Sequence, residues 1–180
     1  MEMIIADAQK DMRDAYLGGG PGILISSIVW LTAGIVAVYN SDLSSLIVFF
    51  VGGMFIYPVS TLISKLLKRT GKHLKENPLG KLAIESTAIL FIGLFISYSI
   101  FQSFPNWFYP IMLMIIGMRY LLFQSIYGLK IYWGIGLILI TSGYMCLSTN
   151  QALHIGAIAG GVIELIFSII IIISDRKEYV

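Results

Sequence analysis

With 180 residues, 57% of them hydrophobic and only 12% charged, the chain falls far below the ~25% charge of a soluble domain, which excludes an ordinary soluble globular protein. A net charge of +2, with basic residues not interleaved with aromatics, argues against a nucleic-acid-binding surface. The single cysteine, Cys146, cannot form an internal disulfide, and no C-x-x-C or Cys/His ligand pattern is present, so neither a metal nor another cofactor is expected.

Residues 3–16 place Ile4, Ile5, Ala8, Met12, Ala15 and Tyr16 at helical spacing, opposite Asp7, Lys10, Asp11 and Asp14. That pattern predicts a short amphipathic helix at the membrane surface. The stretch lacks the apolar core of a signal peptide, so insertion is expected to rely on the first crossing. Gly18-Gly19-Gly20-Pro21-Gly22 breaks the helix, because glycine reaches unusual backbone angles and proline suits the first turn of a new helix. Six apolar stretches follow, each near the ~20 residues that a crossing needs. They lie at about 22–39, 43–66, 79–101, 107–127, 131–147 and 152–174. A kink is expected at Pro58, whose missing N–H breaks the helical ladder. The fold class is therefore all-α, a polytopic six-helix membrane bundle forming a single domain. No inverted repeat is evident: Gly52-Gly53 and Gly160-Gly161 fall in the second and sixth crossings, which are not equivalent helices in such a repeat.

The distribution of basic residues tests this count independently. Lys10 and Arg13, the cluster Lys65, Lys68, Arg69, Lys72, Lys75 and Lys81, then Lys130, Arg176 and Lys177, all fall on one side. The opposite turns carry Asp42 as their only formal charge. By the positive-inside rule both termini are cytoplasmic. The fourth crossing contains Arg119, at a cost of ~2.5–3.5 kcal/mol, but its nine Leu, Ile or Phe residues each return about 0.3–0.6 kcal/mol, so insertion remains balanced or favourable.

Ionisable side chains inside a bilayer are expensive and face a bundle interior or a cavity. Three qualify: Glu85, Arg119 and Glu164. Arg119 lies 11 residues before Lys130 and Glu164 lies 11 before Asp175, which puts both ~16 Å deep. An ion pair between the fourth and sixth crossings is expected, either as a structural pair that fixes helix register or as part of a proton, ion or solute site. Glu85 is nearer the basic end, where Lys81 stands four residues before it. Gly156, Gly160, Glu164 and Ser168 form one stripe that must face protein. On the fourth crossing Arg119, Tyr120, Phe123, Gln124 and Tyr127 share a side; the second offers Gly53, Tyr57, Ser60 and Ser64, and the first Ser26 with Trp30. The binding candidates are therefore Arg119, Glu164, Glu85, Tyr120, Gln124 and Tyr57. The glycine segment, Gly18, Gly19, Gly20 and Gly22, serves as a hinge or as a headgroup or anion site at a helix N-terminus. Cys146 and His154, near the outer ends of the fifth and sixth crossings, are placed to face one another across a hairpin but sit in no nucleophile motif, so no catalytic residue is assigned.

At Asp11-Met12-Arg13-Asp14-Ala15-Tyr16-Leu17-Gly18-Gly19-Gly20-Pro21-Gly22, Gly52-Gly53-Met54, Asn77-Pro78-Leu79-Gly80 and Gly117-Met118-Arg119-Tyr120-Leu121, the chain resembles a family of small, uncharacterised bacterial membrane proteins, labelled only as a domain of unknown function. The resemblance covers nearly the whole chain and implies a bacterial inner-membrane setting, with no active-site assignment. Two functions are expected to compete. One is a small transporter or permeation protein for a polar or anionic solute or a proton, which needs a polar interior around Arg119 and Glu164. The other is a non-transport protein that binds lipid or a protein partner and keeps Arg119 and Glu164 as a structural pair. Membrane lipids are expected partners, a homo-oligomer is compatible with so thin a bundle, and an enzyme is disfavoured.

Overall fold

The computed structural model describes residues 3–177, with side chains as far as Asp175. The tail 178–180 and the side chains of Arg176 and Lys177, expected on the basic face, lie outside the described residues. Seven α-helices run in order: α1 (Ile5–Tyr16), α2 (Gly20–Tyr39), α3 (Asp42–Leu66), α4 (Leu79–Phe101), α5 (Phe108–Tyr127), α6 (Ile131–Ser148) and α7 (Leu153–Lys177). Single 3₁₀ turns, Leu17–Gly19 and Pro105–Trp107, precede α2 and α5. No strand occurs among the described residues. Six helices are long and apolar enough to cross a membrane, so the chain is a polytopic helical membrane protein.

Local chemistry sets the helix ends. Ser41 Oγ accepts the Ser44 N–H at 3.2 Å and opens α3, which continues through Pro58. Asn77 Oδ1 accepts the Leu79 N–H at 3.0 Å at the start of α4, satisfying one of the donors that a helix leaves free at its N-terminus. Gly128 closes α5 at φ +68°, in the left-handed region that favours glycine.

In the bundle α2 packs between α3 and α7, α5 pairs with α6, α7 joins the two groups, and α4 rests on α5 at the rim. Glycines make the close approaches. A Cβ on Gly117 would stand 2.7 Å from the Gly136 carbonyl oxygen, and one on Gly136 would stand 2.8 Å from that of Gly117. Across α2 and α7, Gly34 lies under Ile158 and Gly161 under Leu31. Hydrophobic burial gives lipid-embedded helices no preference for each other over lipid tails, so such small residues gain adhesion by admitting the partner's backbone.

The end of the bundle opposite the basic residues is closed by aromatic rings. Trp30 of α2 meets Phe49 of α3 at 4.7 Å between centroids, Phe49 meets Tyr109 at 5.4 Å, and Phe108 packs against both. Ser45 Oγ donates to the Ala33 carbonyl at 2.7 Å and so accepts from the Tyr109 hydroxyl at 2.6 Å.

At the basic end α1 is the expected amphipathic helix, but its apolar side, Ala8, Met12 and Ala15, is covered by protein. The connection between α3 and α4 is bound to it at several points. Asp11 Oδ2 accepts from the Leu74 N–H at 3.0 Å and from Asn77 Nδ2 at 2.7 Å. Asn77 Nδ2 also donates to the Ala8 carbonyl, and the Tyr16 hydroxyl meets His73 Nδ1 at 2.9 Å. Arg13 Nη1 donates to the Tyr127 carbonyl at 2.6 Å. Arg69 pairs with Asp175 of α7 at 2.7 Å. Residues far apart in sequence are thereby gathered into one polar cap.

Candidate functional site

The stripe Gly156, Gly160, Glu164 and Ser168 on α7 faces protein throughout, as expected. Gly156 lies against Tyr109 and Gly160 against Trp30 and Leu113; Glu164 and Ser168 are fully buried. Glu164 is 11 residues from each of Leu153 and Asp175, so it lies ~16 Å along the helix from both. Its Oε1 accepts the Tyr120 hydroxyl at 2.8 Å. Its Oε2 has no hydrogen-bond partner among the described residues. Ser26 of α2 is the other polar side chain beside the carboxyl. One turn from Ser26, the Trp30 indole N–H is also buried and unpartnered. A donor and an acceptor, normally satisfied in a buried setting, are thus both left over on packed helices in this part of the core.

Tyr120 is held from below by other rings. It stacks on Tyr132 at 6.0 Å, and Tyr132 stacks on Tyr127 at 5.5 Å. The Tyr132 hydroxyl donates to the Gly18 carbonyl at 2.5 Å. A column of three phenols therefore leads from Glu164 to the glycine turn at the basic end.

Arg119 does not join this group. Depth is the coordinate on which it matches Glu164, but consecutive helical residues point about 100° apart. Tyr120 takes the direction toward α7, and Arg119 turns toward α4. Its Nη2 donates to Thr87 Oγ1 at 3.1 Å and its Nε approaches Ser86 Oγ at 3.4 Å, with the guanidinium carbon 5.0 Å from the centre of the Phe123 ring. The expected ion pair with Glu164 is not formed.

The remaining candidates are dispersed. Glu85 is exposed on α4 and faces no interior. Tyr57 is 67% exposed on α3, and Gly53 of the same stripe is exposed while Ser64 is buried. Gln124 is half-buried on α5 and bonded to neither Arg119 nor Glu164. The glycine segment is a packed turn. Gly18 and Gly19 have φ of +57° and +85°; a Cβ on Gly19 would lie 2.5 Å from the Tyr132 hydroxyl oxygen, and one on Gly20 would lie 2.6 Å from Ile172. At Gly18, Gly19 and Gly20 that space is filled by side chains, whereas Gly22 is half-buried and open.

A family model described as a family of unknown function, DUF7010, matches residues 5–174. The chain belongs to this family. No curated protein and no solved structure matches it. The matched region takes in α1, the glycine turn, Arg119 and Glu164, which makes the whole bundle the unit that the family shares. Within it, Cys146 is a buried free thiol, and among the described residues no group of His, Cys, Asp and Glu stands close enough together to hold a metal ion.

Sequence reasoning missed Ser86 and Thr87 as the partners of Arg119, and Asn77 with Asp11 as the clasp of α1. Two adjacent hydroxyl residues in the apolar stretch of α4 were the available signal for the first. The Asn77-Pro78 helix start hid the second, since it explains Asn77 as a cap alone.

Proposed function

We propose that this protein is a small transporter or permeation protein of a bacterial cell membrane, with both termini in the cytoplasm, in which Glu164 takes up and hands on a proton or a small polar solute. The observation that carries the reading is Glu164 Oε2, fully buried near the middle of α7 and left without a hydrogen-bond partner among the described residues. An ionised carboxylate without a cation costs several kcal/mol in such a place. A proton or a small cationic group on Oε2 removes that cost, whereas an anion is repelled by like charge. The separation of Arg119 from Glu164 therefore narrows the solute class at this carboxyl. Orientation follows from the positive-inside rule, and the bacterial setting from the sequence resemblance.

Proton flux into proteoliposomes, followed with a trapped pH-sensitive dye under an imposed potential, tests the reading. Wild type is expected to carry protons, and Glu164→Gln to fall to the rate of protein-free vesicles. Equal flux through both would overturn the role of Glu164.

The second reading is a non-transport membrane protein whose basic end binds lipid or a protein partner. The cap formed by α1, the α3–α4 connection and the Arg69–Asp175 pair favours it, because that end is bound together. It predicts wild-type flux no greater than that of protein-free vesicles.

A further inference from the structure

A guanidinium stays charged at any physiological pH and presents five N–H donors in a fixed fork. Inside a membrane such a charge requires a compensating partner. Arg119 lies eight residues before the end of α5 at Tyr127, ~12 Å from that end of the helix. Its hydrogen-bond partners are two neutral hydroxyls, and the Phe123 ring faces the guanidinium. Ser86 Oγ and Thr87 Oγ1 each donate to the Ala83 carbonyl, at 2.8 and 3.0 Å, which leaves their lone pairs facing the guanidinium. No carboxylate bonds to the guanidinium: Glu164 acts on it only through space and is hydrogen-bonded to Tyr120 instead, and Glu85 is on the exposed side of α4 and makes no bond to Arg119. Arg119 Nη1 donates to nothing among the described residues, yet is not a sealed orphan, since it is absent from the buried groups that lack partners.

The seam that holds Arg119 is at the edge of the bundle. α4 packs chiefly on α5, and Ile84, Ile92 and Phe95 of its outer faces are 73%, 60% and 70% exposed. Met118, beside Arg119, is 52% exposed. Lys81 of α4 is exposed on the way to the basic end.

We infer that Arg119, with Ser86 and Thr87, forms an oxyanion site at the α4–α5 seam, which takes a phosphate or carboxylate group reaching it from the membrane side. The anion supplies a countercharge in direct contact and engages Nη1 together with the Nη2 edge of the fork, the arrangement in which arginine outperforms lysine. A phospholipid headgroup and a free phosphate present the same chemistry. The site does not depend on Glu164 transporting anything.

The test uses the full-length protein in neutral detergent, with phosphatidylglycerol, phosphatidylcholine and inorganic phosphate as probes and native mass spectrometry and ligand-induced thermal shift as readouts. Wild type is expected to retain phosphatidylglycerol or to bind phosphate. Lipid retention without phosphate binding assigns the headgroup as the source, and phosphate binding in detergent assigns the free anion; either supports the site. Arg119→Gln is expected to weaken binding ~10-fold or more, as befits loss of a charge-assisted hydrogen bond. Thr87→Val keeps the charge and the side-chain volume, and is expected to weaken binding ~5-fold. Binding persists in Glu164→Gln, which separates this site from the proposed function. No binding of either anion by wild type, equal retention of phosphatidylcholine, or unchanged affinity in folded Arg119→Gln or Thr87→Val overturns the inference.

Discussion

Alanine at Gly117 is expected to destabilise the bundle by about 1–3 kcal/mol, the usual cost of forcing a methyl group into a filled site. The added carbon would stand 2.7 Å from the Gly136 carbonyl oxygen and 2.7 Å from Ile140 of α6. A backbone oxygen cannot turn aside as a flexible side chain can, so α5 and α6 must separate. That displacement reaches the site directly, because Tyr120 is less than one turn along the same helix. Gly53→Ala is the matched control: nothing lies within 4 Å of its new Cβ, and replacing a mid-helix glycine there is expected to leave stability equal or higher by about 0.5–1 kcal/mol. Thermal melts of the two variants in one detergent check both values. Equal melting temperatures would show that the α5–α6 contact carries no adhesion.

The contrast marks what a sequence of this kind discloses. Every helix end was expected to within three residues of its place, because apolar runs and Gly, Pro and Asn punctuation are local signals. The stripe Gly156, Gly160, Glu164 and Ser168 was legible for the same reason: spacing along one helix fixes which residues share a face. The direction in which a residue points relative to other helices was not. Arg119 and Tyr120 are neighbours in sequence, yet one serves α4 and the other α7. Which does which depends on the rotation of α5 in the bundle, and this is set by the Gly117–Gly136 contact and the rings around Tyr132.

The same limit explains the basic end. An amphipathic pattern states that α1 has an apolar side, not what covers it. Lipid and a folded connection satisfy Ala8, Met12 and Ala15 equally well. The clasp by Asn77 and Asp11 joins positions 66 residues apart, and neither residue announces it. The glycine segment was ambiguous in another way, since positive φ and close packing demand the same residue type.

Removing both ends of the Tyr120–Glu164 hydrogen bond is expected to separate function from folding. Tyr120→Phe leaves Oε1, the second carboxyl oxygen, without its donor, and is expected to cost about 1–3 kcal/mol. The double variant Tyr120→Phe, Glu164→Leu replaces the whole polar pair with apolar groups of similar volume. Such exchanges are neutral or stabilising in buried sites, so it is expected to melt at or above the wild-type temperature while its proton flux is abolished. A double variant that fails to fold would mark Glu164 as a structural keystone, and one that folds and still conducts would remove it from the pathway.

Glu164 is proposed to exchange a proton within the membrane. Infrared difference spectroscopy between acidic and alkaline buffer, on wild type and Glu164→Gln in lipid bilayers, measures this at the carboxyl itself. A carboxylic-acid carbonyl band that changes with pH in wild type and is missing from Glu164→Gln is the predicted result; spectra in which no pH-dependent carboxyl band distinguishes the two proteins would contradict it.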